Sequence, residues 1–124
     1  MRARNLALAA GLLAGLATPA FAADRLAELL KGKTAASPRR CIFPDRTVQA
    51  EIIDGRAIVY RDARYTYVGR LKGGCPALRE DRRIVTRSTG GQLCENDAVR
   101  VVETTGHDFG FCTFDKFVPY RRAR

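Results

Sequence analysis

The sequence predicts a mainly β protein: a small antiparallel sandwich or barrel of about six strands, stapled by two disulfides and preceded by a short N-terminal helix. Three observations carry this expectation. Stretches rich in β-branched and aromatic residues recur at short spacing between turns built on Gly, Asp and Asn. No strand–helix–strand alternation occurs, which argues against a parallel sheet. Four cysteines lie in a chain of 124 residues that begins like an export signal, and an even number of cysteines in an exported domain is read first as disulfides.

The first 22 residues read as a signal peptide. Arg2 and Arg4 form a basic start, Leu6 to Ala17 an apolar middle, and Ala20-Phe21-Ala22 the small-x-small pattern cut by a signal peptidase, here after Ala22. A membrane anchor is the alternative. Twelve apolar residues, however, rise only about 18 Å as a helix, short of a roughly 30 Å hydrocarbon core. Removing 22 residues from 124 leaves 102, with 20 basic residues against 13 acidic ones, a net charge of +7. No later run is long and apolar enough to span a bilayer, so no membrane span is expected after cleavage. A chain of this size forms one domain with a thin stability margin.

Residues 23–40 are expected to hold a short helix and a linker. In "DRLAELLK", Asp24 to Lys31, the leucines at 26, 29 and 30 have helical spacing, Asp24 can cap, and Gly32 can stop the helix. "TAASPRR", Thr34 to Arg40, is small, polar and Pro-containing, so the β domain is placed at 41–120, with a basic tail at 121–124.

Within that domain, "RTVQAEIID" and "RAIVYRD" flank Asp54-Gly55, a dipeptide suited to a type I′ hairpin turn. "RYTYVGRL" sets Tyr65, Tyr67, Gly69 and Leu71 on an apolar face and Arg64, Thr66, Val68 and Arg70 on a mostly wet one. After the "KGGCPAL" loop come "RRIVTRS", the turn "TGGQLCEND", "AVRVVET", the turn "TGHDFG" and "FCTFDKFVPY".

The cysteines decide most of the chemistry. Their spacings of 34, 19 and 18 residues, from Cys41 through Cys75 and Cys94 to Cys112, form no zinc knuckle, Cys-x-x-Cys redox motif or haem attachment. A thiol nucleophile at Cys75 would need His107, the sole histidine, as its base, and an oxidising compartment favours pairing the thiol instead. Of three connectivities the preferred one joins Cys75 to Cys94, which both follow Gly-Gly turns, and Cys41 to Cys112, which would tie the domain's entry to its last strand. No cofactor or metal is implied.

The order of "CIFPD", "YTYVGRLKGGCPAL", "GGQLCENDAVRVVE" and "GFCTFDKFVPY" resembles an uncharacterised family of small exported bacterial proteins with four cysteines, a domain of unknown function. The resemblance spans roughly Cys41 to Pro119. It implies a small β-rich periplasmic or secreted domain and brings no catalytic residue with it.

Other constellations are thinner. Glu103 and His107, with Arg100 for phosphate, have the residue types of small secreted ribonucleases, yet chance supplies such triples freely among many arginines. Ser37 and Ser88 sit in no nucleophile-elbow context, and the Gly-Gly turns lack the remainder of a phosphate loop. Tyr60, Tyr65 and Tyr67 with flanking arginines could stack bases, although half-buried strand packing is their more ordinary use. The aspartates at turns are read as caps. The basic excess favours anionic partners such as nucleic acid, lipopolysaccharide, phospholipid or an acidic polymer, against the plainer reading of a charged, solvated surface. The leading expectation is a non-catalytic binding or envelope-associated module, with a small basic hydrolase using Glu103 and His107 as the alternative. Exported protein is expected to begin at Ala23 by intact mass, and its cysteines to resist alkylation until reduced; a thiol labelled without reductant would contradict this.

Overall fold

The computed structural model describes Gly11 and residues 21–44, 49–88 and 90–123. The signal-peptide expectation lies almost wholly outside these residues, as does the cap expected of the turn aspartate Asp45. The described chain forms α1 (Phe21–Leu30), β1 (Lys33–Ala35), β2 (Cys41–Ile42), β3 (Gln49–Ile53), β4 (Ala57–Arg61), β5 (Thr66–Leu71), β6 (Arg83–Thr86), β7 (Leu93–Cys94), β8 (Ala98–Val102) and β9 (Asp108–Arg122).

Six strands run antiparallel in the order β3-β4-β5-β9-β8-β6 and curl into a half-barrel; β1 adds to β9, and β2 and β7 pair separately. The expected strands are these six. Three short strands are additional, because two- and three-residue strands carry no periodicity to read. β1 lies inside the stretch expected to be a linker and pairs Lys33 with Arg122 and Ala35 with Tyr120. The same stretch continues along β9 through Ala36 N–H to Pro119 C=O at 2.8 Å and an Arg39–Phe117 bridge. The first two residues of the expected tail, Arg121 and Arg122, are therefore sheet.

β9 spans 15 residues and serves as the spine, pairing β8 through its first half and β5 through its second. Simple alternation would send Phe114 and Phe117, three residues apart, to opposite faces. Both are fully buried, because β9 carries a bulge between them: Leu71 pairs with Phe114 while Gly69 pairs with Phe117, leaving exposed Asp115 and Lys116 to span the gap. Their rings tilt together at 4.9 Å between centroids and lie over Gly69. A second register shift sets Arg100 opposite Phe111 and Val102 opposite Asp108, with Gly110 between at φ +90°.

The sheet is buried on both faces over β4 and β5. On one, Ile58, Tyr60, Tyr67 and Leu71 join Leu78, Leu93, Val99, Val101 and the two phenylalanines. On the other, Leu26 and Leu29 of α1 cover Ile53, Ala57, Val59 and Val68. The face expected to be wet is thus covered: Thr66 and Val68 are buried. α1 spans Phe21–Leu30, a range that includes Asp24, and Gly32 at φ +72° follows its end. The Asp54-Gly55 hairpin forms, but not as type I′. Only Gly55 has positive φ, and Arg56 N–H closes the turn onto Ile53 C=O at 3.0 Å, a pattern of type II.

The disulfides join Cys41 to Cys94 and Cys75 to Cys112, which corrects the expected pairing. Cys41 and Cys94 are direct partners in the β2–β7 ladder, 4.0 Å apart at Cα. The "KGGCPAL" loop folds back on the β3–β4 turn, with Cys75 N–H on Gly55 C=O at 3.1 Å and Gly55 N–H on Leu78 C=O at 2.7 Å. That docking turns Cys75 toward the first half of β9, where Cys112 faces the core. Both Gly-Gly turns are real, but the loops they begin lead to different walls of the barrel.

A Cβ on Gly69 would stand 2.7 Å from a Phe117 ring carbon and 3.0 Å from one of Phe114. Gly69→Ala is therefore expected to lower stability by about 1–3 kcal/mol, read from the midpoint of urea unfolding. An unchanged midpoint would mean that the ring pair moves aside freely.

Candidate functional site

At the end of the sheet where β9 finishes, the chain brings together basic residues from three distant segments. β1 contributes Lys33, the end of β4 and the connection to β5 contribute Arg61 and Arg64, and β9 contributes Arg121 and Arg122. With Tyr65, Thr66 and Tyr120 they line an open cleft of about 680 Å³. The register explains the convergence: Lys33 pairs with Arg122, Thr66 pairs with Tyr120, and Arg61 pairs with Thr66.

The cleft is electrostatically one-sided. Its single carboxylate, Asp62, shapes the loop by accepting the N–H groups of Arg64 and Tyr65, each at 2.7 Å. Arg61 is held by Glu51 at 3.1 Å, and Glu51 also takes Arg25 at 2.7 Å. Among the described residues, Lys33, Arg64, Arg121 and Arg122 form no ion pair. Lys33 instead donates to the hydroxyl of buried Thr66 at 2.8 Å. Its ammonium is held below the usual lysine range, first by desolvation and then by Arg61 and Arg122. An anion in the cleft would relieve this crowding. One wall is aromatic: Tyr65 lines the cleft with the Arg39 guanidinium over its ring at 5.0 Å, and buried Tyr67 backs it, the two rings tilting together at 5.5 Å.

Tyr60, Tyr65 and Tyr67 do not form the base-stacking surface considered from sequence. Tyr60 is in the core against Phe114 and Phe117, and burial pushes its phenol up. Tyr67 is buried, and Tyr65 alone of the three lines the cleft.

Glu103 and His107 lie in one hairpin, linked by Glu103 N–H to His107 C=O at 2.8 Å. Their side chains point to other partners. The Glu103 carboxylate accepts from Thr105 at 3.2 Å, and the His107 ring packs edge-on against Phe109 at 4.6 Å. Arg100 is engaged by Asp108, whose carboxyl is held below the usual range by Gly110 N–H and then by Arg100. Asp54 accepts Glu80 N–H at 2.7 Å, holding the loop after Cys75 against the β3–β4 turn, and Asp97 accepts Cys94 N–H at 2.7 Å within its own turn. All four cysteines are disulfide-bonded. Among the described residues no group of His, Cys, Asp and Glu is placed to hold a metal ion.

Sequence reading missed the cleft. Its one visible trace is the doublet Arg121-Arg122, since Lys33 is nearly 90 residues away in the chain and becomes its neighbour only through strand pairing. Because its folded-state pKa is depressed, Lys33 is expected to lose its proton below the usual lysine range as pH rises, and added inorganic phosphate to move that titration upward. Lysine side-chain NMR across pH checks this; a Lys33 that titrates in the usual lysine range and is indifferent to phosphate would remove the cleft's anion preference.

The chain matches no protein-family model, no curated protein and no solved structure.

Proposed function

We propose that this protein is a periplasmic or secreted, non-catalytic binding module that holds an anionic envelope polymer, one bearing phosphate or sulfate groups, in the cleft between β1, the β4–β5 connection and β9. The observation that carries the reading is the clustering of Lys33, Arg64, Arg121 and Arg122 without carboxylate partners. Like charges held together by backbone pairing store repulsion that a polyanion releases, and guanidinium groups bind phosphate or sulfate through paired hydrogen bonds. Thr66 and the Asp62 turn fix the cleft's floor and rim, so the cations are partly preorganised. The disulfides and the basic, apolar start of the chain support export.

The rival reading is a small basic hydrolase acting through Glu103 and His107, which share one turn. The two readings separate in one set of proteins. On immobilised heparin the unaltered protein is expected to elute late and progressively earlier with salt. Loss of one cleft arginine to alanine is expected to weaken binding about tenfold, the scale of one charge-assisted hydrogen bond. Arg121→Glu should elute much earlier than Arg79→Glu, a control of equal charge change in the exposed loop before β6. Equal elution of the two would end the cleft reading. Turnover of RNA, DNA or peptidoglycan that disappears in His107→Ala would put the hydrolase in its place.

A further inference from the structure

The opposite end of the sheet carries a second surface that the cleft does not explain. Val85 on β6 pairs with Arg100 on β8, which pairs with Phe111 on β9, so the three form one cross-strand row. Val85 is 51% exposed and Phe111 64%. Arg83 and Arg87, two positions either side of Val85, are exposed as well. A shallow concavity of about 350 Å³ lies among Val85, Arg87, Ala98, Arg100 and Phe111.

This exposure is built by the backbone. Phe109 and Phe111 would share a face under simple alternation, yet Phe109 packs on the core and Phe111 projects to solvent, because the register shift at Gly110 lies between them. Phe109 is further covered by the Arg82 guanidinium, 3.6 Å from its centroid. Charge on the face is again one-sided. Asp108 pairs with Arg100, and among the described residues Arg83 and Arg87 pair with no carboxylate.

We propose that this face seats on an anionic lipid surface, Phe111 and Val85 entering the boundary between headgroups and acyl chains while Arg83 and Arg87 hold lipid phosphates. Charge complementarity selects the occupant. A second copy would bring arginines against arginines, and two exposed apolar side chains fall well short of the roughly 800 Å² per partner of a stable protein interface. A fluid anionic surface supplies negative charge and apolar depth side by side without needing a matching shape. Phe111 and Arg121 are ten positions apart on β9, on the order of 30 Å, so the lipid face and the polyanion cleft are separate sites.

The test uses the full folded chain and vesicles of phosphatidylcholine, with or without phosphatidylglycerol. Co-sedimentation is expected with the anionic vesicles alone. Val85→Ser with Phe111→Ser should weaken it at least tenfold, and loss of Arg83 or Arg87 about fivefold each, with heparin elution unchanged. The chain has no tryptophan, so Phe111→Trp gives a single reporter, whose emission should shift to shorter wavelength on anionic vesicles. The proposal is overturned if that emission does not move, or if both vesicle types bind equally. It is equally overturned if Arg121→Glu with Arg122→Glu abolishes vesicle binding that the Val85 and Phe111 changes leave intact, or if those changes dissolve a dimer without altering vesicle binding.

Discussion

The structure depends on how one strand keeps its inward face across a change of partner. β9 pairs β8 with its first half and β5 with its second, and its end also receives β1. A strictly alternating strand would bury every second residue, but the aromatic residues of β9 do not follow that spacing. Register shifts near Gly110 and between Phe114 and Phe117 reset the alternation, so that Phe109, Cys112, Phe114 and Phe117 all reach the core. The second shift requires a partner with no side chain beneath the ring pair, and Gly69 meets that requirement. The bend and added twist that accompany such bulges are what curl the sheet into a half-barrel.

The disulfides secure parts of the fold that hydrogen bonding leaves short. β2 and β7 are two residues each, and a pair of that length is marginal without the Cys41–Cys94 bond between direct partners. Cys75–Cys112 ties the loop that closes over the β3–β4 turn to the spine strand, with Leu78 buried beneath. Closing chain segments of 53 and 37 residues is worth roughly 4 kcal/mol each in the loop-entropy account, comparable to the whole stability of a small domain. "LKGGCPAL" therefore acts as a docking loop: its glycines at φ +69° and +78° turn the chain, and Cys75 fastens it.

Charge is distributed by the same topology. Glu51 neutralises Arg61 and Arg25 on the β3–α1 side, and Glu95 lies near Arg40 and Lys72 at the β7 turn. At the two ends of β9, Asp62 lines the cleft without pairing to its cations, and Asp108 is taken by Arg100. The cationic cleft at one end has depth, a hydroxyl floor and a tyrosine wall, whereas the row of Val85, Arg100 and Phe111 at the other is shallow and apolar.

By itself the sequence determined the β class, the six principal strands, the disulfide count and the improbability of thiol or zinc-knuckle chemistry, because each is written in local periodicity, turn residues or cysteine spacing. Tertiary structure decided the rest. The cysteine pairing followed from which walls the two Gly-Gly loops approach, and strand β1 from an edge of β9 that three residues could complete. The covered face of β5 followed from α1, and the inward Phe117 and outward Phe111 from bulges that no alternation pattern announces. The cleft itself depended on register: Lys33, Arg64 and Arg122 are remote in the chain, and neighbours only once antiparallel pairing sets β1 and β5 beside the end of β9. Local patterns select elements, but side chains distant in sequence meet through long-range pairing, which a single sequence does not spell out.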